Sequence, residues 1–166
     1  MLVGAPSSDS ADSDSAEWHA FMFFDTSSIP TGSTISEVEL DFRVTAVQGD
    51  PTGFRLKAYI GNNTIGSTLE KTDYKDTITN GTYFGQYTAG TGAKTQSVDD
   101  DEDVFDEINL SGYTNVEIDA YFLGQVTSSG LVSSMATQNH ATSSYRPKLT
   151  VTYTAPASFV PQVMVF

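Results

Sequence analysis

The sequence predicts an all-β protein: a jelly-roll-like antiparallel β-sandwich followed by an extended apolar C-terminal tail. Short runs that alternate apolar and polar residues recur along the chain, separated by turns built on Gly and Pro. Ser (19) and Thr (21) supply 40 of the 166 residues, whereas only 17% are charged, a composition suited to pleated polar surfaces rather than to Lys/Glu-rich helices. The length suits one domain that buries roughly two thirds of its unfolded surface. The expected division is a sandwich over residues 1–154 and a tail over 155–166.

Taken in order, Leu2-Val3 opens the chain, and Ser7 to Ser15 alternates Ser, Asp and Ala with nothing to bury, the pattern of a solvated loop. Glu17 to Asp25 reads as a strand with Trp18, Ala20, Met22 and Phe24 on one face and His19, Phe21, Phe23 and Asp25 on the other. Both faces carry apolar side chains, yet a sandwich strand meets the core with only one. Phe21 and Phe23 therefore need cover from a loop or from another chain. Ser27 to Gly32 is a turn. Val38, Leu40, Phe42 and Val44 then alternate against Glu39, Asp41, Arg43 and Thr45, as a half-buried strand does. After the Gly49–Gly53 turn, Phe54, Leu56, Ala58 and Ile60 alternate against Arg55, Lys57 and Tyr59.

Ser67 to Glu70 has capping-box form and predicts a short helix over Leu69–Lys75. Thr82–Tyr87 reads as a strand, Gly90–Gln96 as a loop and Phe105–Asn109 as a helical turn. Val116, Ile118, Ala120 and Phe122 alternate against Glu117, Asp119 and Tyr121, and Leu149, Val151 and Tyr153 against Lys148, Thr150 and Thr152, which gives two more strands. The last segment places six apolar residues among the final eight: Phe159, Val160, Val163, Met164, Val165 and Phe166. Two prolines, Pro156 and Pro161, favour an extended path there. Such a tail packs as a last strand on its own sandwich, docks on a neighbouring subunit, or stays disordered.

Charge excludes whole classes of function. Eight basic residues against 21 acidic give a net charge of −13, the wrong sign for nucleic acid or an anionic bilayer. No apolar run approaches the ~18–20 residues of a membrane span, and the N-terminus lacks the form of a signal peptide. The absence of Cys removes disulfides and thiolate chemistry.

Few motifs carry chemistry. Asp99, Asp101 and Asp103 in the run Asp99–Asp103 could offer oxygens to calcium, although Val104 stands where an EF-hand loop needs Gly. Gly90–Thr95 departs from a phosphate loop at Ala93. With two histidines and no Gly-x-Ser-x-Gly elbow, no catalytic residue is expected. Outward tyrosines are candidates for stacking on sugar rings, chiefly Tyr59, Tyr83, Tyr87 and Tyr121.

Two stretches carry a resemblance. The run Phe24-Asp-Thr-Ser-Ser-Ile-Pro-Thr-Gly-Ser-Thr-Ile-Ser-Glu-Val-Glu-Leu40 and the run Ser143-Ser-Tyr-Arg-Pro-Lys-Leu-Thr-Val-Thr-Tyr-Thr154 resemble the opening and closing motifs of DNRLRE-type domains, and Ile108–Thr114 resembles a linking segment between them. The resemblance implies a jelly-roll sandwich of the kind found in secreted carbohydrate-active proteins and in phage structural proteins. It also implies that the first strand is missing upstream of Leu2-Val-Gly4, which leaves an edge for a neighbour to fill.

The leading expectation is a non-enzymatic virion structural protein: a capsid decoration, head-fibre or tail component at the virion surface. It would form homo-oligomers or dock on other virion proteins through Phe21, Phe23 and the apolar tail. The alternative is an extracellular carbohydrate-binding module that takes surface polysaccharide. No cofactor is expected for either, with calcium at Asp99, Asp101 and Asp103 the one candidate.

Overall fold

A computed structural model describes residues 2–5, 19–48, 52, 54–61, 81–122 and 131–157. Nine strands are described: β1 (Leu2–Ala5), β2 (Ala20–Asp25), β3 (Thr34–Gln48), β4 (Phe54–Ile60), β5 (Thr82–Thr88), β6 (Gly92–Val98), β7 (Tyr113–Phe122), β8 (Leu131–Met135) and β9 (Lys148–Thr154). A short helix, α1 (Glu102–Asp106), precedes β7, and a 3-10 turn (Ser143–Tyr145) precedes β9.

The strands form two antiparallel sheets packed as a sandwich. The first runs β1-β8-β3-β6, four strands across, with β9 taking the rest of the β3 edge that β8 uses. The second runs β2-β7-β4-β5. The pairings nest: β4 with β5, β3 with β6, β2 with β7 and β1 with β8, all antiparallel. The chain is thus a long folded-over ribbon whose successive rungs alternate between the two sheets.

Alternation explains the core. Val38, Leu40, Phe42 and Val44 of β3 face Phe54, Leu56, Ala58 and Ile60 of β4 and Val116 and Ile118 of β7 across the interface, and all are buried. The β2–β3 turn is fastened to this core by Thr26, whose hydroxyl donates to the Asn109 carbonyl at 2.7 Å and lies 2.8 Å from the Thr114 hydroxyl. Gly32 closes that turn at φ +83°, a left-handed conformation that other residues adopt only under strain.

The structure departs from the sequence reading in several places. β3 is longer than Val38–Val44 because β8 and β9 extend its pairing at both ends. Gly90–Gln96 is not a loop: Gly92–Val98 pairs residue by residue with β3. The strand lacks apolar alternation because it is an edge. Its inward positions include Lys94 and Gln96, with only Val98 packing on the core as an apolar side chain, and the Lys94 ammonium donates across to the Thr88 hydroxyl of the opposite sheet at 2.9 Å. Inward charge of this kind discourages edge-to-edge pairing, and burial pulls the Lys94 pKa below its ordinary value.

The helical turn expected over Phe105–Asn109 lies earlier, over Glu102–Asp106, because Asp101 caps it, its carboxylate accepting from the backbone N–H groups of Asp103 and Val104. Leu2–Ala5, read from the sequence only as an apolar opening at Leu2-Val3, is a strand that pairs with β8 along its whole length. The helix expected over Leu69–Lys75 lies outside the described residues, as do Trp18 and residues 158–166.

Leu40 is fully buried at the centre of β3. Leu40→Ala is expected to lower unfolding stability by about 2–5 kcal/mol, read as a shifted urea midpoint with an unchanged slope. A loss under about 1 kcal/mol would mean that β3 does not carry the core.

Candidate functional site

Two outward faces collect the polar chemistry of the fold. On the first sheet, the site follows from connectivity. β8 ends at Met135 opposite Val44, and β9 begins at Lys148 opposite Asp41, so twelve residues, 136–147, bridge a gap of three positions on β3. The surplus chain rises over the outward face and forms the lip of a half-open cleft of about 450 Å³. Arg43, Tyr145, Arg146 and Lys148 line it with Asp41, Ser143 and Ser144.

Each cation there is held by a different partner. The Arg43 guanidinium carbon lies 4.0 Å from the centre of the Tyr145 ring, a cation–π contact, and His140 covers Tyr145 at 5.1 Å between ring centres. Arg146 Nε donates to the His140 carbonyl at 2.9 Å. Lys148 Nζ sits 3.0 Å from Asp41 and 4.0 Å from Glu39. Burial alone would raise the Asp41 pKa, but hydrogen bonds from Thr95 and Lys148 and the charge of Lys148 outweigh it and hold the carboxyl below 3.8. Neither Arg43 nor Arg146 is ion-paired among the described residues.

The second sheet presents a different surface. His19 Nδ1 lies 2.6 Å from Glu117 Oε1 and Nε2 lies 3.9 Å from Asp119 Oδ1. The Phe21 ring stacks on His19 at 6.4 Å between centres. Glu117, read from the sequence as solvent-facing, is only 4% exposed, and Asn115 beside it is buried too. The outward face of β7 is therefore covered at Asn115 and Glu117, and the Glu117 carboxylate lies against the His19 imidazole. Both Phe21 and Phe23 are half-buried on the same face, and the Gln138 side chain donates to the Phe23 carbonyl at 2.7 Å.

The candidate sugar platform does not assemble as expected. Tyr59 and Tyr83 are neighbours, 5.8 Å apart but inclined at 66°, and Tyr83 is 50% exposed. Tyr87 is corrected outright: it points inward, 6% exposed, edge-on to Phe42 at 4.8 Å. Burial pushes its pKa upward. The side chain of Tyr121 lies outside the described residues. Of the acidic triplet, Asp101 is occupied as the α1 cap while Asp99 and Asp103 are exposed. Among the described residues no group of three or more His, Cys, Asp or Glu side chains is placed to hold a metal ion, and no helix is long and apolar enough to cross a membrane. Phe159, Val160, Val163, Met164, Val165 and Phe166 lie outside the described residues.

No family model matches the chain, and no curated protein matches it at a significant level.

The Asp41 pair gives a pH-dependent expectation. Its carboxyl has a lowered pKa in the folded protein, so the stability it contributes is present above 3.8 and is lost as pH falls below that value. Asp41→Asn is expected to lower stability at pH 7 by about 0.5–1 kcal/mol, and the gap from the parent closes on titration below 3.8. Denaturation midpoints across that range check it, and a gap that persists at the acid end contradicts it.

Proposed function

We propose that this chain is a non-enzymatic jelly-roll module of a bacteriophage virion, a rigid exposed block that docks on neighbouring copies through the apolar residues of its C-terminal segment. The observation that carries the reading is the nested strand order, β1-β8-β3-β6 over β2-β7-β4-β5. That rolled-up ribbon is the order of the jelly roll, an architecture shared by viral capsid proteins and lectins. The likeness of Phe24–Leu40 and Ser143–Thr154 to DNRLRE-type motifs points the same way. Architecture supports a class of function by analogy only, so two local features matter more.

First, the chain leaves β9 on the outside: Ala155, Pro156 and Ala157 are all exposed, with Pro156 lying against Gly32 of the β2–β3 turn. The apolar sequence that follows starts from the surface. Burying six such side chains between subunits is worth on the order of 10 kcal/mol from area alone, before association entropy is charged against it. Second, the half-buried Phe21 and Phe23 add apolar surface on the outward face of β2.

The alternative, a carbohydrate-binding module, has the exposed Tyr83 beside Tyr59 in its favour. Their inclined rings offer one stacking surface rather than a platform of several, which ranks this reading second.

Light scattering on the full chain and on a version lacking residues 158–166 separates the two. The full chain is expected to self-associate, and the shortened one to be a folded monomer with an unchanged circular dichroism spectrum. If both are monomers at equal concentration, the assembly reading fails and a glycan-binding screen becomes the informative experiment.

A further inference from the structure

Where β6 and β9 flank β3, the outward face of the first sheet is mostly polar and its charges are sorted. Along β3 the outward side chains are Glu37, Glu39, Asp41 and Arg43, and the β3 register places Thr152, Thr150 and Lys148 of β9 beside the first three and Ser97, Thr95 and Ala93 of β6 beside the last three. One end is acidic. Glu37 and Glu39 lie there, their carboxylates accepting from the hydroxyls of Thr152 and Ser97, with Lys148 approaching Glu39 to 4.0 Å. The exposed Asp99 and Asp100 follow β6 at that same end.

The other end is basic. Lys148 is matched by Asp41, but Arg43 and Arg146 are positioned by an aromatic ring and a carbonyl, which orient the guanidinium groups without neutralising them. From Arg43 to Glu37 is six residues of strand, about 20 Å.

We propose that this face is a docking surface for a second copy of the chain, related by a two-fold axis that lies in the plane of the interface, perpendicular to β3 and level with Leu40. Rotation about that axis lays the Arg43/Arg146 end of each copy over the Glu37/Glu39 end of the other, so both contacts form at once, as an isologous interface requires. Apart from the small Ala93, no apolar side chain stands at the outward positions named. The contact is therefore electrostatic and fixes orientation more than affinity. The proposal deepens the assembly reading, on which it rests: the apolar C-terminal segment holds copies together and the sorted charges set how they face. Overall repulsion between chains of charge −13 does not prevent this, because at physiological salt charges more than about 8 Å apart are largely screened.

Sedimentation velocity on the full chain tests it through charge reversal. Arg146→Glu and Glu37→Lys are expected each to weaken association roughly five- to tenfold at low salt, and the double variant to restore it to within about twofold of the parent. If the single variants associate like the parent, or the double is as weak as either single, the docking face is wrong. The double variant also controls for folding, since a destabilised fold would not regain association.

The outcomes separate this claim from the tail. Loss of association on removing residues 158–166, with no effect of charge reversal, overturns the face and keeps the assembly reading. A charge-swap rescue with the tail deletion inert keeps the face and overturns the tail. A full chain that stays monomeric at every concentration and salt overturns both.

Discussion

β3 is the constraint from which the rest of the molecule follows. Its fifteen residues carry backbone donors and acceptors on both edges, and buried peptide groups left without partners are costly. β6 takes one edge, while β9 and then β8 divide the other. Two collinear strands share that edge, and the twelve residues between them first reach β2, where Gln138 meets Phe23, and then bring residues 143–147 over the outward face. Tyr145 and Arg146 thereby arrive above Arg43, and a cleft forms on a sheet that would otherwise be flat. Pairing requirements inside the fold thus dictate where the surface chemistry sits.

The same constraint explains what could be read from the sequence. β3, β4 and β7 were legible because each buries one face against the core, so their alternation of Val, Leu, Phe and Ile against charge is strict. β6 was not, since Gly92–Val98 is an edge whose inward Lys94 bonds to Thr88 of the other sheet and breaks the apolar pattern. β8 escaped for a related reason: Ser133 stands at a fully buried position, where its hydroxyl donates to the Ala89 carbonyl at 3.1 Å. A polar residue satisfied inside a core is indistinguishable in sequence from one facing water.

Sites were harder still. The cleft unites residues 41–43 with 143–148, and the His19–Glu117 contact spans 98 residues. No local spacing encodes either. One signal was present in the composition: with only eight Lys and Arg in the chain, the pair Arg146 and Lys148 flanking Pro147 stood out as cations in an acidic protein. Tyr87 misled because alternation in β5 is interrupted where its pairing with β4 shifts between Ala58 and Tyr59. The bulge turns Tyr87 to the core face while Tyr83 stays outside.

The two faces are complementary in character. The second sheet hides its charge, with Glu117 buried against His19, and shows half-buried phenylalanines at β2. The first sheet shows its charge, sorted end from end. Both depend on β3 staying paired along both edges, which native-state hydrogen exchange tests directly. The amides of Val38–Val44 are expected to be among the slowest in the chain and to exchange only through global unfolding. Exchange of these amides through local opening, faster than those of the edge strands β2 and β5, would contradict the central place given to β3.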